Sequence, residues 1–286
     1  IIKVLTLDGI QSFIYQGAKR KGKKGNLISP LAVLSIDYYQ RKDSDLGKIK
    51  SVEPAIVFKN IPFDPLKSRI VFFMNEVLNK AIKERDAYPD LYTFVRSILE
   101  ILDLSDHFSS FPIKFLYQLT KYLGFYPQMD DGGLYFDLQE GRYRKYIPNH
   151  PFYLSKEYSK LLLAFSGTNF DGTNDPKTTI LHRRQLVNDL LNYYKVIFDN
   201  FEEIQSLAIL EATFHVDHYM PRSVYPEYSM YSHNLNPSCA SCNSRYKRAK
   251  FLDKHHNRIF FNPYFDTFIQ ETQFLQCSLT VEGKYL

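Results

Sequence analysis

The sequence predicts an α+β protein in three segments, on three observations. Residues 3 to 60 carry short runs of Val, Ile, Tyr and Phe broken by Gly, Pro, Ser and Asp; from Pro62 to about Glu211 the apolar residues recur at helical spacing; and from Phe214 onward His, Asp, Asn and Cys crowd together. A period of two signals strands, and a period near 3.6 signals amphipathic helices. The 286 residues suit two or three domains, and 44% apolar residues suffice for a core in each. No run of eighteen apolar residues occurs, and the opening "IIKVLTLDGIQSF" lacks the basic region and cleavage site of a signal peptide. The expectation is a soluble cytoplasmic protein with no membrane partner. Three cysteines do not make a disulfide framework.

The strand-like runs are "KVLTL", "QSFIYQG", "LAVLSIDYYQR" and "IKSVEPAIVF", which predict a small β-barrel or sandwich. Helices follow in "KSRIVFFMNEVLNKAIKE", "DLYTFVRSILEILDL", "FPIKFLYQLTKYLGF", "SKEYSKLLLAF" and "HRRQLVNDLLNYYKVIF", a helical bundle. One interruption, "GGLYFDLQEGRYRKY" at 132 to 146, reads as a hairpin.

The net charge of +5 is modest, but the cations cluster. "AKRKGKK" at 18 to 24 holds five in seven positions, Lys19, Arg20, Lys21, Lys23 and Lys24. "RYKRAKFLDKHHNR" at 245 to 258 holds six, Arg245, Lys247, Arg248 and Lys250 among them. Such a run is often only a solvated loop, but two of them beside aromatic-rich segments point to a polyanion. Phe13, Tyr15, Tyr38 and Tyr39 offer faces for base stacking if they do not serve as core or cross-strand pairs.

The stretches "QSFIYQGAKRKGKKGNLISPLAVLSIDYYQR", "IPFDPLKSRIVFFMNEVL", "LYQLTKYLGFYPQMDDGGLYFDLQEGRY" and "FEEIQSLAILEATF" resemble, in order, the RecO recombination mediators of Bacteroidetes-like bacteria. The resemblance implies a partial OB-fold β-barrel at 1 to 60, truncated by about its first strand, and a RecO-like helical domain at 61 to 213. It also implies DNA binding, strand annealing, and partnership with RecR and the single-strand-binding protein. The cysteine pairs that some members carry near residues 128 to 140 are absent here, so no zinc is expected there.

In the third segment the order is Asp217-His218, Pro221, Ser223, Asn234-Leu235, Cys239, Cys242-Asn243, Lys247. It resembles the ββα-metal unit of HNH endonucleases, in a branch found among phage-defence nucleases, and places such a module and a tail at 214 to 286. Phosphodiester hydrolysis needs an activated water and a cation to neutralise the charge that develops on phosphate. His218 is a base able to take the proton near neutral pH, and Asp217 and Asn243 are hard oxygen ligands for one Mg2+ or Mn2+. By resemblance Asn234 positions the loop bearing His218, while Arg245 and Lys247 meet phosphate. His215 is a candidate extra ligand; His233, His255 and His256 read as surface residues or phosphate contacts.

Cys239 and Cys242 make half of a structural zinc site whose second CxxC, expected upstream, is missing. Either zinc is lost, or His215, His233 or Cys277 stands in. "FEEIQSLAILEATF" runs directly into "HVDHYMP", which implies a junction near residue 214, whether a natural fusion, a recombination scar or an assembled chimera. The reading is a metal-dependent HNH endonuclease on a RecO-like scaffold; its rivals are a non-catalytic DNA-binding and annealing mediator carrying an inert HNH remnant, a nuclease whose RecO-like part only delivers DNA, and a chimera that does neither well.

Overall fold

Alternating apolar and polar positions near the start form four strands: β1 (Ile2–Thr6), β2 (Gly9–Ile14), β3 (Leu34–Tyr39) and β4 (Leu46–Pro54). The computed structural model describes residues 1–15, 28–40, 44, 46–82, 89–130, 132–211, 214–218, 235–239, 280–281 and 284–285. It divides into two units, Ile1–Glu211 and Ala212–Leu286.

In the first unit the strands form one sheet in the order β1-β2-β4-β3. β1 pairs antiparallel with β2, β4 antiparallel with β3, and β2 and β4 run parallel. Among the described residues the sheet has four strands, one short of the five-stranded OB barrel, and β1 and β3 are its two edges. Gly47 of β4 pairs with Phe13 of β2, and a Cβ at that position would lie 2.6 Å from the Phe13 ring. The absence of a side chain lets Phe13 fold over the strand and meet Tyr38 edge-on, with centroids 4.8 Å apart.

The helical stripes form α1 (Pro65–Ala81), α2 (Pro89–Leu104), α3 (Phe111–Tyr122), α4 (Lys156–Ser166), α5 (Ile180–Ile197) and the short α6 (Ser206–Glu211). Their starts are set by local chemistry. Asp64 caps α1 by accepting from the Leu66 and Lys67 amides, with Pro65 opening the helix. Ser155 caps α4, and Thr179 with His182 forms a capping box on α5. Their apolar faces meet in one core, where Phe73, Met74, Leu102, Phe115, Leu116, Leu162, Leu186 and Tyr194 are all fully buried. Each such side chain contributes roughly 1.5–3 kcal/mol by leaving water. Between α3 and α4 a small sheet in the order β5-β7-β6 joins β5 (Gln128–Met129), β6 (Tyr135–Asp137) and β7 (Arg142–Arg144). The last two are the hairpin expected from the sequence, and Phe136 and Tyr143 drop from it into the core.

Two carboxylates, Asp103 buried and Glu76 partly buried, tie segments distant in sequence. Asp103, at the end of α2, accepts from the amides of Lys59, Asn60 and Ile61 at 2.8 to 2.9 Å, while Lys67 donates to its carbonyl. Burial alone would raise the Asp103 pKa, but those three amides and the Lys67 charge bring it below the ordinary value. This joint fixes the exit from β4 onto the helices. Glu76 of α1 accepts from the Gln205 amide and from the Ser206 amide and hydroxyl at 2.6 to 2.9 Å, and so holds the start of α6. The other end of α6 is met by Arg69, which donates to the Ile209 carbonyl, and by Arg184, which donates to that of Glu211.

In the second unit β8 (Phe214–His218) pairs antiparallel with β9 (Leu235–Cys239). A two-residue pairing of β10 (Thr280–Val281) with β11 (Lys284–Tyr285) follows.

Candidate nucleic-acid interface

Strand alternation sorts the first sheet into two faces. On one of them Phe13 is 3% exposed and Ile49 8%, while Tyr38 meets Phe13 edge-on and is itself 44% exposed. Phe13 is therefore core: the expectation that it stacks on bases is corrected by its burial under Gly47 and Tyr38. Tyr15 is partly buried.

The outer face carries cations. Ile14, Lys48 and Tyr39 are successive cross-strand partners on β2, β4 and β3, all three exposed. A register shift falls between Asp37 and Tyr38, whose partners are Ser51 and Ile49, and it leaves Lys50 as the extra residue of β4. A bulge of this kind twists the strand and re-aims its side chains. The Lys50 ammonium comes to lie 5.9 Å from the centre of the Tyr39 ring, which is 64% exposed. A cation over one face of an exposed aromatic, with a second lysine beside it in register, provides phosphate charge and a stacking surface together. Lys48 and Lys50 lie outside the dense cation runs; their sequence signal is the alternation "KIK" inside a strand, with Ile49 turned inward.

The ion pairs of the small sheet tell against the same role for its arginines. Arg142 and Arg144 face Asp130 and Glu140, with Arg144 Nη1 3.5 Å from Asp130 and Arg142 Nε 3.7 Å from Glu140. Both guanidinium groups thus have acids beside them.

Of the residues singled out in the third segment, Asp217 and His218 are the last two positions of β8, opposite Asn236 and Leu235 of β9. Cys239 closes β9 opposite Phe214. His215 lies two positions before Asp217 on β8 and opposite Ser238. Asn234, Cys242, Asn243, Arg245, Lys247, Arg248 and Lys250 lie outside the described residues, as do His233, His255, His256, Cys277 and the loop cations Lys19, Arg20, Lys21, Lys23 and Lys24.

Comparison with known proteins bears on the first unit. The family model described as "Recombination protein O C terminal" matches residues 62–196, a span running from just before α1 to the last turn of α5. The DNA repair protein RecO of Flavobacterium psychrophilum is 31% identical over 220 residues, covering 75% of this chain and 91% of that protein. The chain belongs to the RecO family. RecO of Flavobacterium johnsoniae is likewise 31% identical over 220 residues, and RecO of Bacteroides fragilis 28% over 221. The family model takes in the helices from α1 into α5 and begins after the four strands of the first sheet. Among the described residues no helix is long and apolar enough to cross a membrane.

Proposed function

We propose that this RecO-family chain is a DNA-binding mediator of repair and recombination that engages single strands through the outer face of its first sheet. The observation that carries the reading is the in-register row of Ile14, Lys48 and Tyr39 with Lys50 over the tyrosine ring. Lysines on a rigid sheet meet phosphates, and the exposed ring takes a base; neither contact reads sequence. Strand annealing and partnership with RecR and the single-strand-binding protein belong to the same proposal. The test is a salt titration of binding to a single-stranded oligonucleotide. Replacing Lys48 and Lys50 together by Gln should weaken binding and flatten the slope of log K against log salt by about 0.7 for each phosphate no longer neutralised. An unchanged slope would refute this face as the interface.

A second reading, metal-dependent phosphodiester hydrolysis, draws support from the antiparallel pairing of the Asp217-His218 strand with Leu235–Cys239, since the ββα-metal unit of HNH nucleases starts with such a ribbon. Asp217 and Asn243 would hold one Mg2+ or Mn2+; a carboxylate and an amide oxygen suit such a hard cation and leave room for water and phosphate. The ion would neutralise charge on the phosphate. His218 would accept the proton of the attacking water, with Asn234 positioning its loop. Arg245, Lys247, Arg248 and Lys250 would bind flanking phosphates. Cys239 and Cys242 supply only two of the four donors a structural zinc requires.

A further inference from the structure

We propose that residues Lys145 to Phe152, between β7 and α4, form a second stacking platform for single-stranded nucleic acid, centred on Tyr146; this rests on the DNA-binding reading above. Tyr146 is 75% exposed, Ile147 56% and Phe152 45%, so two rings and an aliphatic side chain stand in water within one short segment. The Lys145 ammonium lies 5.6 Å from the centre of the Tyr146 ring. That repeats the Lys50 and Tyr39 arrangement on the first sheet. Two further lysine-ring pairs among the described residues, Lys67 with Phe108 and Lys114 with Phe170, use buried lysines that are committed to the Asp103 carbonyl and to Asp175. Of these pairs, those on tyrosine hold a cation and an aromatic face out toward solvent.

The segment is held in shape at both ends. β7 precedes it, paired with β6, and after it Leu138 donates to the Phe152 carbonyl and Leu154 to that of Phe136. Within it, His150 Nε2 lies 3.2 Å from the buried Asp137 carboxylate, and the Phe152 amide donates to His150 Nδ1. A ring presented by a fixed loop loses little freedom when a base stacks on it, and that preserves affinity. The cations of this stretch are Lys145, which faces Tyr146, and Lys156 and Lys160, exposed one turn apart on α4 with the acidic Glu157 between them 3.7 Å from His182, whereas Arg142 and Arg144 are paired with acids. Stacking accepts any base, so the ligand class is a single strand without sequence preference.

The experiment measures binding of the full chain to oligothymidylate and to an oligomer of the same length with abasic sites, using Tyr146→Ala, Tyr146→Phe and Tyr39→Ala. Tyr146→Ala should weaken oligothymidylate binding about five- to a hundredfold, the loss of one stacked base, and leave abasic binding unchanged. Tyr146→Phe should restore affinity. Circular dichroism and thermal melting should match the parent, since the ring is exposed. If Tyr39→Ala weakens binding and Tyr146→Ala stays within twofold of the parent, the second platform is refuted and the first survives. Equal losses on both oligomers also refute it, because they indicate charge and not stacking. If the parent binds neither oligomer, the DNA-binding reading falls and takes this proposal with it.

Discussion

Replacing Glu76 by Gln removes a charge from the clamp on α6 while keeping an amide oxygen of the same reach. In the structure burial would raise the Glu76 pKa, but the hydrogen bonds from Ser206 and Gln205, with Lys80 alongside, hold it at about 2 against an ordinary 4.5. The Lys80 ammonium lies 2.9 Å away, and the Glu76 side chain is 20% exposed, so solvent screens the site only in part. The fall from 4.5 to about 2, at roughly 1.36 kcal/mol per tenfold change in acidity, puts an upper bound of about 3.4 kcal/mol on what ionisation contributes. The substituted amide can still accept from one or two backbone N–H groups, so the expected loss at pH 7 is about 2 kcal/mol. Because the folded-state pKa is depressed, the unfolded chain binds more protons between the two values, and stability rises with pH through that window. The contribution is complete above the unfolded value of 4.5 and fades as pH falls toward 2. Urea unfolding of parent and Glu76→Gln at neutral pH, then in steps down through that window, measures the gap directly. A gap below about 0.5 kcal/mol at pH 7, or one that keeps its size as the pH falls, would refute the reasoning.

Two further outcomes are expected. Asp103→Ala strips three amides of their acceptor and leaves that of the buried Ile61 unpaired, so urea unfolding should show a loss of about 3 kcal/mol, whereas a loss under about 1 kcal/mol would mean that water or a neighbour replaces the carboxylate. His218→Ala should abolish any Mg2+- or Mn2+-dependent, EDTA-sensitive nicking of supercoiled plasmid while leaving the gel shift on single strands intact; cleavage within threefold of the parent would exclude His218 as the base.

The helices were legible because their evidence is local. The stripe in "KSRIVFFMNEVLNKAIKE" buries Ile70, Phe73, Met74, Val77 and Leu78 on one side of α1, and the spacing of those residues needs no partner to be recognised. The same holds for "GGLYFDLQEGRYRKY", whose turn and alternation sit within one hairpin. For the order of residues around Asp217 and His218 the structure adds, among the described residues, the pairing of β8 with β9.

The tertiary structure decided which aromatics are available. Phe13 and Tyr39 both belong to alternating strands, but Gly47 admits one ring to the core, while the register shift at Asp37 and Tyr38 leaves the other on the outer face under Lys50. Alternation tells that two faces differ; it cannot say which is covered, because that depends on the strand next door. Asp103 and Glu76 were unreadable for the same reason: their hydrogen-bond partners lie about 40 and 130 residues away along the chain, and a carboxylate on a helix shows no sequence sign of the amides it will meet. Helical period and turn chemistry belong to neighbours in sequence. A carboxylate's charge state and an aromatic's exposure belong to neighbours in space, which only the folded chain brings together.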